Sequence, residues 1–145
     1  MTNQEKKRWL RQYLEVLDDQ DALIEERKRW EDIATKITAS PSGMPGGGSE
    51  RRGENAMQQL AEISREIDEK AARARTVRSQ IRACISRMPD VRLRQLLRLR
   101  YINGLNFDQI AERMHYSWRW VIKLHGQALD QLPVKEDMAV HIDSW

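Results

Sequence analysis

Two basic side chains one helical turn apart, Arg119 and Lys123, are the residues of this sequence best suited to recognition chemistry. They lie in the stretch SWRWVIKLHGQ, where a tryptophan stands on either side of the arginine. A guanidinium donates two parallel hydrogen bonds to a base edge or a phosphate, and an ammonium adds a point charge. At 100° per residue, Arg119, Lys123, Gly126 and Gln127 share one helix face, with Trp120 and Ile122 on its flanks. The pattern indicates a displayed face, although exposed Arg and Lys also occur on helices that bind nothing.

The other side of the same helix is mainly apolar and is expected to pack against a core. Its members are Val121, Leu124, His125 and Ala128, with Ser117 and Trp118 at the edges. We interpret His125 as a core or interhelix hydrogen-bonding residue, because His115 and His141 have no helical relation to it and no metal site can be completed nearby.

Three residues that favour helix N-caps divide the chain beyond residue 89 into short helices. Asp90 precedes a predicted helix that ends near Ile102, and Asn106 precedes the short periodic stretch FDQIAERM. Ser117 then precedes the helix that carries the basic face. Two short helices joined by a tight turn are typical of a helix-turn-helix, so residues 89–132 are predicted to form a three-helix module of that type.

The first 88 residues contain two long segments with apolar residues at helical spacing. In the first segment these are Leu10, Tyr13 or Leu14, Leu17, Ile24, Trp30, Ile33 and Ile37. In the second they are Leu60, Ile63, Ile67, Ala71, Ala74, Val77, Ile81, Cys84 and Met88. The stretch SPSGMPGGGSERRG between them contains two prolines and three consecutive glycines, which favour a flexible connection. The two segments are therefore predicted to pair as an antiparallel, coiled-coil-like hairpin.

These observations predict an all-α protein, a long antiparallel helical hairpin followed by a small helix-turn-helix module. The predicted parts are a long helix over 1–39, a flexible linker over 40–54, a second long helix over 55–88, the helix-turn-helix over 89–132 and an acidic tail over 133–145. The apolar residues along one side of each long helix form a seam, and in the second helix this seam includes the small residues Ala71 and Ala74. Small seam residues with charged residues on both sides are common in coiled coils within and between chains, so we expect oligomerisation through the hairpin.

Charge is distributed unevenly along the chain. Residues 65–132 carry 14 Lys and Arg against 7 Asp and Glu, whereas residues 1–64 carry 10 against 12. A basic surface attracts polyanions and favours a nucleic-acid partner, although a solvated helix face is the commoner reason for a charged run.

Other classes of function find little support in the sequence. The lone Cys84 provides neither a disulfide nor a metal cluster, and its isolation suits a reducing cytoplasm. No nucleophile and base can be paired, and the glycine-rich stretch lacks the strand and the lysine of a phosphate-binding loop. Charges also interrupt every apolar run that could span a membrane, which needs roughly 20 residues. We therefore predict no enzyme activity, no cofactor, no metal and no membrane association.

The run LRLRYINGLNFDQIAERMHYSWRWVIKLHGQAL resembles region 4 of sigma-70 factors. The matching features are the LRLRY helix end, Gly104-Leu105, the IAER core helix, Ser117, Val121 and the closing Ala128-Leu129. Together with the charged N-terminal helix and the segment ATKITASPSGMPGGG, the chain is similar to small phage-encoded transcriptional regulators of the ArpU and RinA type over about nine-tenths of its length.

This resemblance implies DNA binding and control of phage or prophage late genes. By the family pattern the helix from Ser117 is the recognition helix, and Trp118, Arg119, Ile122 and Lys123 face the bases. Ile122 departs from the polar or basic residue common there in sigma factors. The resemblance also implies double-stranded DNA as a partner, host RNA polymerase as a possible second partner, and a location at the bacterial nucleoid.

The expected function is sequence-specific DNA-binding regulation, with DNA-contacting residues Ser117, Trp118, Arg119, Trp120, Ile122, Lys123 and Gln127. A homodimer or higher homo-oligomer is expected. Two alternatives stay open. A small-terminase-like packaging adaptor also joins a helix-turn-helix to helical oligomerisation segments, and a helical adaptor that binds only protein would have no DNA function.

Overall fold

A computed structural model describes residues 1–39 and 47–135. Over these ranges the structure is helical with no strand, which confirms the predicted all-α class. The helices are α1 (Asn3–Ala39), α2 (Gly47–Ser86), α3 (Val91–Tyr101), α4 (Phe107–Met114) and α5 (Trp118–Gln131). Two long helices thus precede three short ones, in the predicted order. Most of the predicted acidic tail, residues 136–145, lies outside the described residues.

The second long helix starts earlier than the sequence indicated. A linker was predicted over 40–54, but residues 47–54 form the first turns of α2. Glycine costs about 1 kcal/mol relative to alanine inside a helix, and a 40-residue helix can absorb this cost at its end. Glu50 in the first turn also interacts favourably with the positive end of the helix dipole. Residues 40–46 of the predicted linker lie outside the described part.

The described chain divides into two compact units, and the smaller one spans Val16–Arg73. In this unit α1 and α2 run antiparallel. Lys70 Nζ on α2 lies 3.6 Å from Asp19 Oδ2 on α1, and a cavity farther along is lined by Ala34 and Gly53. The buried apolar side chains are those of Val16, Ala56, Ile63 and Ile67. The predicted pairing of the two long helices is confirmed within this unit.

One predicted seam residue of α1 is exposed. Ile33 was expected to pack against the second helix, but 42% of its surface is accessible. The half-buried positions of this turn are Trp30, Ala34 and Ile37. They are spaced by four and three residues and so define the inward face, which leaves Ile33 at its side.

The larger unit comprises Met1–Glu15 and Ala74–Trp145, described to residue 135. Its core contains residues of all five helices. Trp9 and Leu10 come from α1, and Val77, Ile81, Cys84, Ile85 and Met88 come from the end of α2. From α3 the same core contains the buried side chains of Leu93, Leu96, Leu97 and Tyr101. The unit is therefore larger than the segment 89–132 singled out from the sequence.

Local capping fixes where the short helices begin. The side chain of Asp90 accepts a hydrogen bond from the backbone N–H of Arg92 at 2.9 Å, as predicted for the N-cap of α3. Asn106 caps α4 in a reciprocal arrangement with Gln109, in which each side chain accepts from the other residue's backbone N–H. Gly104, with φ of 74°, supports the turn between α3 and α4, because a left-handed backbone is strained for residues with a Cβ.

None of the helices in the described ranges combines the length and the apolar character that a membrane span requires.

Candidate nucleic-acid interface

The basic face lies on a helix whose start is sharply defined. Ser117 Oγ accepts a hydrogen bond from the backbone N–H of Trp120 at 3.2 Å, which confirms Ser117 as the N-cap of α5. The preceding turn depends on His115, whose φ of 59° and ψ of 42° are left-handed. The backbone N–H of His115 donates to the carbonyl groups of Ala111 and Glu112, which ends α4 and permits a three-residue turn.

All seven residues predicted to contact DNA are exposed at the start of α5 or along it. Arg119, Lys123 and Gln127 follow one another at intervals of four and form the displayed face. Trp120 and Ile122, each 36% exposed, lie on its flanks as predicted. From Trp118 to Gln127 the helix carries no acidic residue, so nothing on α5 offsets these two positive charges over that length.

Trp118 is more exposed than its position on the helical wheel indicated, and this exposure agrees with the base-facing position that the family resemblance implied. It was placed at the edge of the packed side, but 53% of its surface is accessible. It is the first residue of α5, and side chains on a helix tilt toward the N-terminus. The indole therefore extends beyond the turns of α5 that pack on the core, and it adds apolar area to the displayed surface.

Lys123 lies close to an aromatic ring of the same helix. Its Nζ is 5.6 Å from the centre of the Trp120 ring, within the range of a cation–π interaction. Such a contact at an exposed site contributes only about 0.5–1 kcal/mol, so the ammonium remains available to an anionic partner.

The packed side of α5 contains the side chains predicted for it. Val121, Leu124 and Ala128 are fully buried and His125 is 7% exposed. Nε2 of His125 and the hydroxyl of Tyr101 on α3 form a hydrogen bond of 2.8 Å. The Phe107 ring on α4 and the imidazole pack in a T-shaped arrangement, with 5.0 Å between ring centres. The interpretation of His125 as a core residue that bonds between helices is confirmed.

His125 is neutral in this setting. Burial lowers its pKa to about 4, and the positive charges of Lys7, Arg100 and Arg11 add to the effect. Burial also raises the pKa of the Tyr101 hydroxyl, so this partner keeps its proton at neutral pH. The pair therefore fixes α5 on α3 without a buried charge.

The end of α5 is held by the first turn of α1. Lys6 Nζ donates to the carbonyl oxygen of Leu129 at 2.7 Å, and Asn3 Nδ2 donates to Asp130 Oδ1 at 2.7 Å. The last carbonyl groups of a helix lack partners within it, and a cation there also offsets the negative end of the helix dipole. Sequence periodicity could not reveal these supporting residues, since more than 120 positions separate the partners.

Two kinds of chemical group are relevant to catalysis here, metal-ligand clusters and reactive thiols. The described residues contain no group of three or more His, Cys, Asp or Glu side chains placed to hold a metal ion. Cys84 is 1% exposed, and burial raises the pKa of its thiol, which keeps it out of the reactive thiolate form. The arrangement on α5 is instead suited to binding an anionic surface.

Residues 34–133 match the family described as "Protein of unknown function (DUF1492)". The chain belongs to the DUF1492 family. The range shared with DUF1492 contains all of α2 to α5, and with them the whole displayed face of α5. The first turns of α1, including Lys6 and Trp9, precede that range. No match was found among curated proteins or among solved structures.

Proposed function

We propose that this protein is a sequence-specific DNA-binding transcriptional regulator of phage or prophage genes. In this proposal α5 enters the major groove, with Arg119 and Lys123 directed at base edges. Trp118, Trp120 and Gln127 add contacts to bases or to the sugar-phosphate backbone, and the N-terminus of α5 at Ser117 faces a phosphate.

The observation that carries the proposal is the displayed face of α5. It lies on the second of two short helices joined by a three-residue turn, near a capped N-terminus, and its cations are exposed. Helix-turn-helix proteins present the N-terminal residues of the second helix to the major groove in this manner. The opposite side of α5 is committed to the core, so the face is held in one orientation.

The resemblance to sigma-70 region 4 and to the ArpU and RinA regulators adds the biological setting. It supports control of phage late genes, action in the bacterial cytoplasm at the nucleoid, and contact with host RNA polymerase as an additional role. These parts of the proposal depend on the resemblance, whereas the proposed role of α5 is also supported by its geometry.

The test is selection of binding sites from a pool of random duplexes by the full chain, followed by affinity measurements on the enriched duplex and on random DNA. We expect Arg119→Ala to lose roughly 1–3 kcal/mol on the enriched duplex and little on random DNA. Arg119→Lys should restore only part of the loss, because an ammonium cannot form two parallel hydrogen bonds. Arg29→Ala, an exposed arginine of α1, is the matched control.

Each contrary result points to a particular alternative. Equal affinity of Arg119→Ala and the parent for both DNAs would contradict insertion of α5 into the groove. Enrichment of no sequence, combined with rings of about eight or more subunits and stimulation of a large-terminase ATPase, would favour the packaging adaptor. Absence of DNA binding at every salt concentration would favour an adaptor that binds only protein.

We further propose that the chain self-associates through the unit Val16–Arg73. The apolar residues of α2 from Val77 to Met88 are buried in the core of the larger unit, whereas an exposed apolar residue of α2 lies near its start. Met57 is 64% exposed there, beside a cavity lined by Ala34, Ile37 and Gly53. Exposed apolar patches of this kind commonly mark protein interfaces.

Sedimentation of the full chain tests self-association. We expect the parent to form at least a dimer at micromolar concentration and Met57→Glu to weaken that assembly, because a carboxylate would be desolvated in the interface. Gln58→Glu introduces the same charge at the neighbouring exposed position and is the control. A monomeric parent at high micromolar concentration would exclude the proposal, and equal assembly of both variants would move the interface elsewhere.

A further inference from the structure

An open groove between the end of α2 and the side of α3 is surrounded by arginines. Arg82 and Ser86 of α2 and Arg94 and Arg98 of α3 line it, and Ile85 is also part of its wall. Its volume is about 530 Å³. All of these residues belong to the larger unit, and none is on α5. Three guanidinium groups around one groove make a strongly positive site that the displayed face of α5 does not include.

The sequence around this groove is almost free of negative charge. From Ala74 to Tyr101 the chain has eight arginines and one acidic residue, Asp90. Asp90 caps α3 and pairs with Arg92 at 3.3 Å, so its carboxylate is already engaged outside the groove. Within the part of the chain that the structure describes, no ion pair involves Arg82, Arg94 or Arg98. The positive charge of the groove is therefore not compensated by carboxylate partners.

One of the arginines is fixed in place by the backbone. Nη1 of Arg94 donates to the carbonyl oxygens of Met88 and Pro89, the latter at 3.2 Å, and so closes the turn between α2 and α3. Carbonyl groups are neutral, so these bonds orient the guanidinium without cancelling its charge. A positioned guanidinium with donors left over is well suited to the oxygens of a phosphate.

The positive surface continues along α2 beyond the groove. Arg75, Arg82 and Ser86 lie on one side of the helix, with Arg78 beside them. From Arg75 to Arg82 the helix rises about 10 Å at 1.5 Å per residue. A single small anion needs only one pocket, whereas a row of cations of this length matches a polyanion with regularly spaced charges.

We propose that the groove of Arg82, Ser86, Arg94 and Arg98 binds phosphate groups of the DNA backbone, as a second contact distinct from α5. The inference extends the proposed function and rests on DNA as the partner. Phosphate contacts carry no sequence information, so the groove would raise affinity for all DNA and hold the protein on the duplex, while α5 selects the sequence.

The test compares Arg82→Gln/Arg98→Gln with the parent in the full chain, and leaves Arg94 in place because it closes a turn. Binding to random-sequence duplex and to the enriched duplex is measured over a range of salt concentrations. Each lost phosphate contact reduces the magnitude of the slope of log affinity against log salt by about 0.9. Loss of two contacts should therefore make the slope shallower by about 2. Both DNAs should weaken by the same factor, and the preference for the enriched duplex should be unchanged.

Two controls separate position from net charge. Arg51→Gln/Arg52→Gln removes the same charge from exposed positions of the smaller unit and should leave the slope near that of the parent. Arg82→Lys/Arg98→Lys keeps the charge in the groove and should restore most of the slope. The melting temperature of Arg82→Gln/Arg98→Gln should equal or exceed that of the parent, because removing neighbouring like charges relieves repulsion.

The outcomes distinguish the groove from α5. If the salt slope of Arg82→Gln/Arg98→Gln equals that of the Arg51/Arg52 control, the groove does not bind phosphates. This conclusion would hold even if Arg119→Ala still reduced the preference for the enriched duplex. A lowered slope together with no effect of Arg119→Ala would support the groove and contradict base reading by α5. If the groove variant kept its DNA affinity but lost binding to phosphatidylserine vesicles, the partner would be a membrane surface and the proposal would fail. A parent that binds no DNA overturns both proposals.

Discussion

Individual residues of the larger unit derive their properties from their surroundings more than from their type. His115 and His125 are ten positions apart, yet one is exposed in a turn and the other is buried between three helices. Burial raises the pKa of the Cys84 thiol and lowers that of the His125 imidazole, because both shifts favour the neutral form. The two pKa values therefore shift in opposite directions, although burial is the cause of both shifts.

The depressed pKa of His125 predicts a pH dependence of stability. The pKa is about 4 in the folded protein and about 6.5 in an unfolded chain. Between these values the unfolded state binds more protons, so the free energy of unfolding falls as pH decreases from 6.5 toward 4. The full loss is at most about 3 kcal/mol, from 1.36 kcal/mol per pKa unit. Denaturant unfolding at several pH values measures it.

The control for this prediction is His125→Gln, which keeps a polar partner for the Tyr101 hydroxyl but does not titrate. Its stability should be lower at neutral pH and should change less than that of the parent between pH 6.5 and 4.5. Carboxylates such as Asp90, whose pKa is lowered mainly by its hydrogen bond with Arg92, contribute equally to both proteins. Parallel curves for the two proteins would show that His125 titrates normally in the folded state.

At the scale of elements, α5 combines a packed side and a displayed side in only 14 residues. The packed side is fixed on α3 and α4 by buried residues, and the helix end is fixed on α1 by Lys6. The displayed side is therefore rigid without contributing to the core. Gly126 is the residue of α5 that lowers helix stability most, since glycine costs about 1 kcal/mol relative to alanine.

Gly126→Ala separates folding from DNA binding. A Cβ at position 126 would meet no atom within 4 Å, so the substitution should raise the free energy of unfolding by up to about 1 kcal/mol. Under the proposed function the added methyl group lies where DNA approaches the helix, and affinity for duplex DNA should decrease. Thermal unfolding and DNA titration of the same preparation measure the two effects.

Gly53→Ala is the matched control, because a Cβ at position 53 also meets nothing within 4 Å and the position is inside α2. It should gain similar stability and keep the DNA affinity of the parent, compared at a concentration at which sedimentation shows both proteins in the same oligomeric state. Unchanged affinity in Gly126→Ala would place the DNA contact nearer to the start of α5, around Arg119, and away from Gly126.

For the molecule as a whole, the larger unit depends on residues from both ends of the described sequence. Trp9 and Leu10 are 2% and 0% exposed and belong to the same core as Val121 and Leu124. The short helices α3 to α5 alone would leave their apolar surface facing α1 and α2 uncovered. Stability of the displayed face is thus linked to the N-terminus of the chain.

Trp9→Ala tests this link. Truncating a buried tryptophan typically costs about 3–5 kcal/mol, from lost burial and from the cavity left behind. We expect backbone amides of α5, such as those of Leu124 and Leu129, to exchange their hydrogens faster in this variant, since they share its core. Native-state hydrogen exchange measures the effect residue by residue.

Trp30→Ala serves as the comparison, because this tryptophan is half-buried and belongs to the smaller unit. In Trp30→Ala the hydrogen-exchange rates of the α5 amides should stay close to those of the parent. Equal protection of α5 in Trp9→Ala and the parent would mean that α3 to α5 fold independently of α1.

Local sequence patterns alone determined the order of the helices, the N-caps of α3 to α5 and the two sides of α5. Asp90, Asn106 and Ser117 act on backbone groups within three residues, and Arg119 and Lys123 are exposed because the helical period places them opposite Val121. The tertiary structure alone decided the partners: Trp9 in the core of α3 to α5, Tyr101 on His125, and Arg82 across a groove from Arg98. Those contacts join residues that are distant in sequence, and helical periodicity specifies which side of a helix is buried but not what covers it.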